Sequence, residues 1–199
     1  MGIRILIPCK TLRSGKTRLS GVLSERDRMA LCTGLLEHTI ALAAAFAPTT
    51  VVTSDPAVAE ICPRHNALVC AEPPNADLNM ALTAAYRTCT PRDAVLVLPI
   101  DLPLLTSATI HQVCADEDTM TIVPDRIESG TNLMLLPREL DRGFRFCYGI
   151  DSFRQHCAEA SRLGLAFRVC HFADAAFDID TPDDLAEINR LRARVEMAQ

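Results

Sequence analysis

Residues 95–105, with the sequence VLVLPIDLPLL, decide the fold class of this chain. The first four residues are apolar without alternation, which is typical of a strand that helices cover on both faces. Asp101 follows soon after this run, and the carboxyl ends of strands are where open α/β sheets bind ligands. The stretch therefore predicts a doubly covered, mostly parallel sheet with a polar site at its carboxyl edge.

Short β-rich runs alternate with helical patterns along nearly the whole chain, which indicates an α/β protein. Strands are predicted at residues 3–8, 50–53, 67–70, 94–99, 119–123, 132–136 and 166–171. Helices are predicted at residues 25–45, 56–62, 79–89, 107–115, 152–163 and 182–195. No repeat or Pro/Gly/Ser-rich linker divides these elements, so one domain over residues 1–199 is expected.

Helical periodicity is clearest after Ser24, the expected N-cap of the first long helix. Thr181 is the expected N-cap of the last helix, with Pro182, Asp183 and Asp184 in its first turn. One apolar face of the first long helix is predicted to comprise Met29, Cys32, Leu35, Leu36, Thr39, Ile40 and Ala43.

Composition narrows the class of protein. The net charge of the 199 residues is −5, which argues against a nucleic-acid partner. The longest apolar stretch, residues 40–47, is far shorter than the about 20 residues that cross a bilayer, so no membrane partner is expected. The nine cysteines form no Cys-x-x-Cys pair and no signal peptide is expected, so buried thiols in the cytoplasm are predicted.

A basic loop follows the first predicted strand. Lys10, Arg13, Lys16 and Arg18 lie within nine positions that hold no acidic residue. This position in an α/β sheet favours nucleotide phosphates. A P-loop is a weaker interpretation of Gly15-Lys16-Thr17, because Lys10 stands where that motif requires glycine, and a solvated loop without a ligand is a further alternative.

Carboxylates form the second group of candidate residues. Asp101 is placed either to hold Mg²⁺, which prefers carboxylate oxygens, or simply to form a turn. Asp178 and Asp180 lie two residues apart, so in extended chain both reach one metal cluster. Asp183 and Asp184 are interpreted as capping acids.

A second anion site is predicted where a helix begins after Gly149. This glycine and Ser152 would supply backbone N–H groups and a hydroxyl to a phosphate or carboxylate, although Ser152 is also a plain N-cap candidate. His156, one turn further on, is expected to pack rather than to face the ligand.

Together these motifs resemble the 2-phospho-L-lactate guanylyltransferase family over residues 3 to about 185. The family has a Rossmann-like, three-layer nucleotidyltransferase fold similar to the nucleotide-diphospho-sugar transferases. Its members use GTP to activate 2-phospho-L-lactate, phosphoenolpyruvate or 3-phospho-D-glycerate in coenzyme F-420 biosynthesis. The matching motifs are PxK at residues 8–10, GKTRL at 15–19, DLPL at 101–104, GTN at 130–132, GxxSFxxH at 149–156 and DIDTP at 178–182.

The resemblance implies a role for each matching residue and a homodimer. Lys16 and Asp101 are the expected catalytic residues. Pro8, Lys10, Arg13, Lys16, Arg18 and Asn79 would bind the nucleotide, Asp101, Asp178 and Asp180 would hold Mg²⁺, and Thr131, Gly149 and Ser152 would bind the acceptor. Asp77 stands where the family usually has the glycine of a Gly-Leu-Asn motif that ends at Asn79.

Two other functions remain open from the residues alone. A P-loop kinase would also use Lys16 and Asp101, but it would transfer the γ-phosphoryl group. A catalytically silent regulator would bind GTP and release nothing. Pyrophosphate release separates both from a guanylyltransferase.

Overall fold

A seven-stranded sheet forms the centre of the structure, a computed structural model that describes residues 2–13, 15–140 and 143–196. The strand order is β3-β2-β1-β4-β6-β5-β7. β6 runs antiparallel to β4 and β5, and the other neighbouring pairs are parallel. The strands are β1 (Ile3–Pro8), β2 (Thr49–Val52), β3 (Leu68–Cys70), β4 (Ala94–Val97), β5 (Met120–Pro124), β6 (Thr131–Leu136) and β7 (Phe167–Val169).

All predicted helices and strands are present, with ends that differ by a few residues. β4 stops before the predicted end at residue 99, where Pro99 has no N–H to continue a ladder. The helices are α1 (Glu25–Phe46), α2 (Pro56–Ile61), α3 (Leu78–Thr88), α4 (Ser107–Val113), α5 (Ser152–Arg162) and α6 (Pro182–Glu196), with short 3₁₀ turns at Thr17–Leu19 and Cys62–His65.

Two apolar layers cover the sheet, as the unbroken apolar run in β4 predicted. Leu96 packs in one cluster with residues of α1 and α4, whereas Val95 and Val97 pack in another with residues of α3. All four residues of β4 are buried. The sheet therefore lies in the middle of three layers and exposes its carboxyl edge for a site.

Helix α1 packs along the first of these layers. It is long and apolar enough to cross a membrane by length and composition, yet Leu36, Ile40 and Ala43 are buried in the core, as expected of the central helix of an α/β protein. Met29 was predicted on the buried face, and that prediction is wrong, because its side chain is 36% exposed in the first turns of the helix.

The predicted caps are confirmed. Ser24 Oγ accepts from the N–H of Asp27 at 3.2 Å, and Thr181 Oγ1 accepts from the N–H of Asp184 at 3.3 Å. Asp184 caps α6 in return by accepting from the N–H and hydroxyl of Thr181, and it pairs with Arg126. Burial alone would raise the pKa of Asp184, but these partners outweigh it and lower the pKa to about 2.

Candidate active site

A cleft of about 460 Å³ opens at the carboxyl ends of β1 and β4. Its volume falls in the range of small-molecule sites. Six of the predicted site residues line it: Pro8, Lys10, Lys16, Arg18, Asp101 and Asp180. The basic loop, the β4 terminus and the segment before α6 therefore meet at one place, although they are far apart in sequence.

Lys16 lies at the centre of this cleft between two carboxylates. Its Nζ is 2.9 Å from Oδ2 of Asp101 and 2.8 Å from Oδ1 of Asp180. The lysine side chain is only 10% exposed. Burial alone would lower the pKa of Lys16, but the two carboxylates outweigh it and raise the pKa above its ordinary value, so Lys16 stays an ammonium.

The segment that carries Asp178 and Asp180 is anchored to the end of β4. The N–H of Ile179 donates to the carbonyl of Asp101 at 3.1 Å, and the Ile179 side chain is buried. Burial, and then the charges of Asp101 and Asp180, raise the pKa of Asp178. The three predicted carboxylates thus lie close enough to feel one another's charge.

The donor set suits a hard cation, although an ammonium lies in its midst. Within residues 2–13, 15–140 and 143–196, no three Asp, Glu, His or Cys side chains are arranged as a metal-binding group. Lys16 bridges Asp101 and Asp180 instead. Carboxylate oxygens are nevertheless the ligands that Mg²⁺ prefers, and the charges of Asp101 and Asp180 add to the effect of burial in raising the pKa of Asp178. By donor chemistry the residues fit Mg²⁺.

The other basic residues of the loop are more exposed. Arg18 Nη1 lies 3.3 Å from Oδ2 of Asp180, and its side chain is 74% exposed. Lys10 is exposed at the cleft, whereas Arg13 is exposed but does not line it. The loop therefore offers exposed cations around one nearly buried ammonium.

Three residues that shape the basic loop were missed by the sequence analysis. Arg28 Nη1 donates to the carbonyl of Gly15 at 3.2 Å, and Cys32 lines the cleft beside it. Asp55 accepts from the N–H of Leu12 at 3.0 Å. Burial would raise the pKa of Asp55, but hydrogen bonds from backbone N–H groups outweigh it and hold the pKa below its ordinary value. Asp55 also caps α2 by accepting from the N–H of Ala57 at 2.9 Å, and the Asp-Pro pattern at the start of α2 was a signal for this cap.

The residues predicted to hold the acceptor form a separate, mostly buried network. The N–H of Thr131 donates to Ser152 Oγ at 2.9 Å, and Thr131 Oγ1 lies 2.9 Å from His156 Nδ1. The N–H of Cys147 donates to His156 Nε2 at 2.9 Å, so Nε2 is the acceptor and Nδ1 carries the proton. Gly149, by contrast, is exposed, with φ 134° before α5.

Burial of His156 agrees with its predicted packing role. Its side chain has no exposed surface. Burial lowers its pKa to about 4, against a smaller opposite effect of Glu159. The imidazole is therefore neutral at pH 7 and links β6, α5 and the segment before Gly149.

Asn79 is engaged with the backbone rather than directed into the cleft. Its Nδ2 donates to the carbonyl of Tyr148 at 3.0 Å, and its Oδ1 accepts from the Tyr148 N–H at 2.7 Å. Leu78, its neighbour at the start of α3, lines the cleft. The contact of Asn79 with a nucleoside stays a prediction.

The basic loop after β1, Asp101 after β4 and the two aspartates before α6 lie in a fold that solved nucleotidyltransferases share. A solved structure from Desulfovibrio desulfuricans G20, provisionally described as a nucleotide-diphospho-sugar transferase, superimposes on this chain with a TM-score of 0.76. The two chains are 18% identical, and the match covers 95% of this chain and 87% of the other. At that identity the likeness establishes the fold.

Sequence comparison identifies the family. Residues 3–191 match the family described as "Guanylyl transferase CofC like", and the chain belongs to it. A phosphoenolpyruvate guanylyltransferase of Roseiflexus castenholzii is 33% identical, covering 93% of this chain and 87% of the relative. A 2-phospho-L-lactate guanylyltransferase of Methanothermobacter thermautotrophicus is 30% identical, covering 92% and 82%. The resemblance seen in the sequence motifs is thereby confirmed, and the chain is a nucleotidyltransferase.

Proposed function

We propose that the chain transfers GMP from GTP to the phosphate of a three-carbon phospho-acid and releases pyrophosphate. The observation that carries the proposal is the cleft in which Lys16, Asp101 and Asp180 meet beside the basic loop. Family membership supplies the guanylyl specificity. The acceptors named for the relatives, phosphoenolpyruvate and 2-phospho-L-lactate, supply the acceptor class.

The reaction is a displacement at the α-phosphorus of GTP. An oxygen of the acceptor phosphate forms a bond to this phosphorus, and the bond to the oxygen that bridges the α- and β-phosphates breaks. Pyrophosphate leaves with that oxygen and its electron pair. Because the acceptor phosphate is already ionised at pH 7, no general base is required. Catalysis consists of aligning two anions and cancelling their repulsion.

The basic loop would perform the charge neutralisation. Lys10, Arg13 and Arg18 have exposed side chains that would close on the triphosphate, Arg18 from its contact with Asp180, whereas Lys16 is nearly buried in the cleft. Pro8 lines the cleft at the end of β1 and would contact the nucleoside. Leu78 lines the same cleft, so Asn79 beside it would act near the nucleoside or through the Tyr148 segment.

The carboxylates would hold Mg²⁺. We propose Asp101, Asp178 and Asp180 as its ligands: Asp101 and Asp180 line the cleft beside the basic loop, and Asp178 is near enough for their charges to raise its pKa. A bound Mg²⁺ would supply charge stabilisation at the phosphate oxygens. Asp101 and Asp180 also hold the ammonium of Lys16, so the same side chains would organise both cations.

The acceptor would bind near the start of α5. Gly149 is exposed there and would offer its backbone to a carboxylate or phosphate. Thr131 and Ser152 are buried directly behind, joined by the hydrogen bond from the Thr131 N–H. We propose that these two side chains hold the shape of the acceptor end of the site.

A P-loop kinase is not supported by the local backbone. In a P-loop the lysine and the following Ser or Thr open a helix. Here Lys16 has φ 53°, Thr17–Leu19 form a single 3₁₀ turn, and α1 begins only at Glu25. A silent regulator would bind GTP without releasing pyrophosphate, so an assay of pyrophosphate release distinguishes it from a guanylyltransferase.

The first experiment measures pyrophosphate release with GTP and Mg²⁺. Phosphoenolpyruvate, 2-phospho-L-lactate and 3-phospho-D-glycerate are offered separately, and ATP and CTP replace GTP as controls. Release that requires one acid and GTP supports the proposal and names the acceptor. GTP binding without release in the presence of any acid would instead favour the silent regulator.

We further propose that the chain is a cytoplasmic homodimer that acts in coenzyme F-420 biosynthesis, as the family resemblance implies. Light scattering on the purified protein measures the mass in solution. A mass of one chain would contradict the homodimer.

A further inference from the structure

We propose that Lys16 is a built-in counter-cation that occupies the divalent-ion position until a nucleoside triphosphate draws it away. The inference rests on the proposed function and concerns the order in which the site fills. It predicts that the nucleotide-free protein binds a divalent ion weakly, and that triphosphate and metal promote each other's binding.

The geometry of the ammonium carries the inference. Nζ of Lys16 contacts one oxygen of Asp101 and one of Asp180 at 2.9 and 2.8 Å. These are the oxygens that a divalent ion bridging the two carboxylates would need. An ammonium and a metal ion cannot share that space, so the ion must displace Lys16 before it can join Asp101 to Asp180.

Displacement without a triphosphate is costly. The Lys16 side chain is only 10% exposed, whereas the carboxylates are 28% and 41% exposed. A metal that took both carboxylates would leave a nearly buried ammonium without its partners, and unpaired buried charges are strongly unfavourable. The metal-free site is therefore electrostatically satisfied by the protein's own cation.

A triphosphate in the same cleft removes that cost. Lys16 lines the cleft together with Lys10 and Arg18, where phosphates would lie. The lysine stem is flexible, so Nζ can exchange carboxylate oxygens for phosphate oxygens by side-chain rotation. Arg28 donates to the carbonyl of Gly15 and so anchors the backbone beside Lys16, which leaves the side chain to make the exchange. Once the ammonium has moved, Asp101 and Asp180 are available to a metal ion.

Binding is consequently coupled in both directions. A ligand that favours the rotated lysine favours the open carboxylates, and a metal ion on the carboxylates favours phosphate on the lysine. Linkage requires the two effects to be equal in size. Removing the ammonium should therefore increase metal affinity in the nucleotide-free protein and reduce the coupling.

The test is an electron paramagnetic resonance titration of free Mn²⁺ on the full chain. The proteins compared are the wild type, Lys16→Met, Lys16→Arg and the charge-matched control Lys10→Met, each with and without α,β-methylene GTP. Without nucleotide, Lys16→Met should bind Mn²⁺ about tenfold more tightly than the wild type, a factor typical of coupled sites. Lys16→Arg should stay as weak as the wild type, and Lys10→Met should change affinity at most about twofold.

Equal Mn²⁺ affinity of nucleotide-free wild type and Lys16→Met would overturn the inference, as would an equal gain in Lys10→Met. If Lys16→Met does not fold, the inference is tested on wild-type crystals soaked in MnCl₂ with and without the analogue. The anomalous signal between Asp101 and Asp180 should appear only with nucleotide, and a signal without nucleotide beside an unmoved Lys16 would refute the proposal.

A different measurement, pyrophosphate release, tests the proposed function. Coupled binding of Mn²⁺ and the analogue, without pyrophosphate release from GTP in the presence of any of the three acids, would leave the counter-cation role intact and reject the acceptor class. Acid-dependent pyrophosphate release, together with equal Mn²⁺ affinities of the nucleotide-free wild type and Lys16→Met, would support the proposed function and reject the counter-cation role.

Discussion

The side-chain amide of Asn79 pairs with both backbone groups of Tyr148, donating from Nδ2 at 3.0 Å and accepting at Oδ1 at 2.7 Å. The preceding N–H, that of Cys147, donates to His156 at 2.9 Å. Side chains from α3 and α5 thus bind two successive N–H groups of one segment. This arrangement fixes the direction in which the chain enters Gly149, where the acceptor is proposed to bind.

Asn79→Ala should therefore destabilise the protein and weaken acceptor binding. Two hydrogen bonds to partly buried backbone groups are lost, and the free energy of unfolding should fall by about 1–3 kcal/mol. The KM for the acceptor should rise more than the KM for GTP. Urea unfolding and steady-state kinetics measure both effects.

Met80→Ala is the matched control for this variant. Met80 follows Asn79 on α3, and its side chain is 55% exposed, so the free energy of unfolding should change by less than about 0.5 kcal/mol. A rise in the KM for GTP alone in Asn79→Ala would show that Asn79 contacts the nucleoside, as the family resemblance implies.

His156 should make stability depend on pH below neutrality. The unfolded chain protonates this imidazole near pH 6.5, whereas the folded chain does so only near 4, because burial lowers the pKa. Between these values the unfolded state binds more protons, so stability falls as the pH falls from 6.5 to 4. The loss at pH 4 amounts to up to about 3 kcal/mol. Urea unfolding of the wild type and His156→Gln at pH 7 and pH 5 measures it.

The variant should lose most of this slope, even if its stability at pH 7 is lower. His38→Gln is the control, because His38 is exposed on α1 and its replacement should leave the slope as in the wild type. An unchanged slope in His156→Gln would assign the acid sensitivity to carboxylates instead.

Local sequence patterns were sufficient to predict the secondary structure and the edge of the sheet that carries the site. The unbroken apolar run of β4 predicted burial on both faces, and Asp101 after it marked the carboxyl edge. Periodicity placed Leu36 and Ile40 in the core but also Met29, which is 36% exposed in the first turns of α1.

Side-chain pairings between distant segments could not be predicted in this way. The sequence assigned Lys16 to phosphates and Asp180 to metal, and the structure joins the two directly across 164 positions. The pairing of Asn79 with Tyr148 and the position of Arg28 at Gly15 likewise depend on how helices pack, which no local spacing encodes.

Asp101→Asn should abolish most activity while leaving the fold intact. The neutral amide keeps the shape of the side chain but removes the charge that holds Lys16 and would hold the metal ion. The kcat for pyrophosphate release should fall by at least about 100-fold, since preorganised charge contributes on this scale. Asp180 still pairs with Lys16, so the free energy of unfolding should change little.

Asp118→Asn provides the comparison for Asp101→Asn. Asp118 pairs with Arg138 at the surface, and its side chain is 73% exposed, so kcat should stay at the wild-type value. Full activity of Asp101→Asn would contradict both its catalytic and its metal-binding role.

Gly15→Ala should displace the basic loop through a contact with Cys32. A Cβ at Gly15 would lie 2.8 Å from Cys32 Sγ, closer than real Cβ contacts allow, and Cys32 is only 2% exposed. Because Lys16 follows directly, the KM for GTP should rise severalfold. Removing the sulfur makes room, so the double variant Gly15→Ala/Cys32→Ala should regain most of the affinity that Gly15→Ala loses, measured against Cys32→Ala alone.

Gly34→Ala on α1, where a Cβ would meet nothing within 4 Å, should leave the KM unchanged and stabilise the helix by about 0.5–1 kcal/mol. A double variant no better than Gly15→Ala would place the constraint on the loop carbonyls of Thr11 and Leu12, each 3.5 Å from the added carbon, instead of on Cys32.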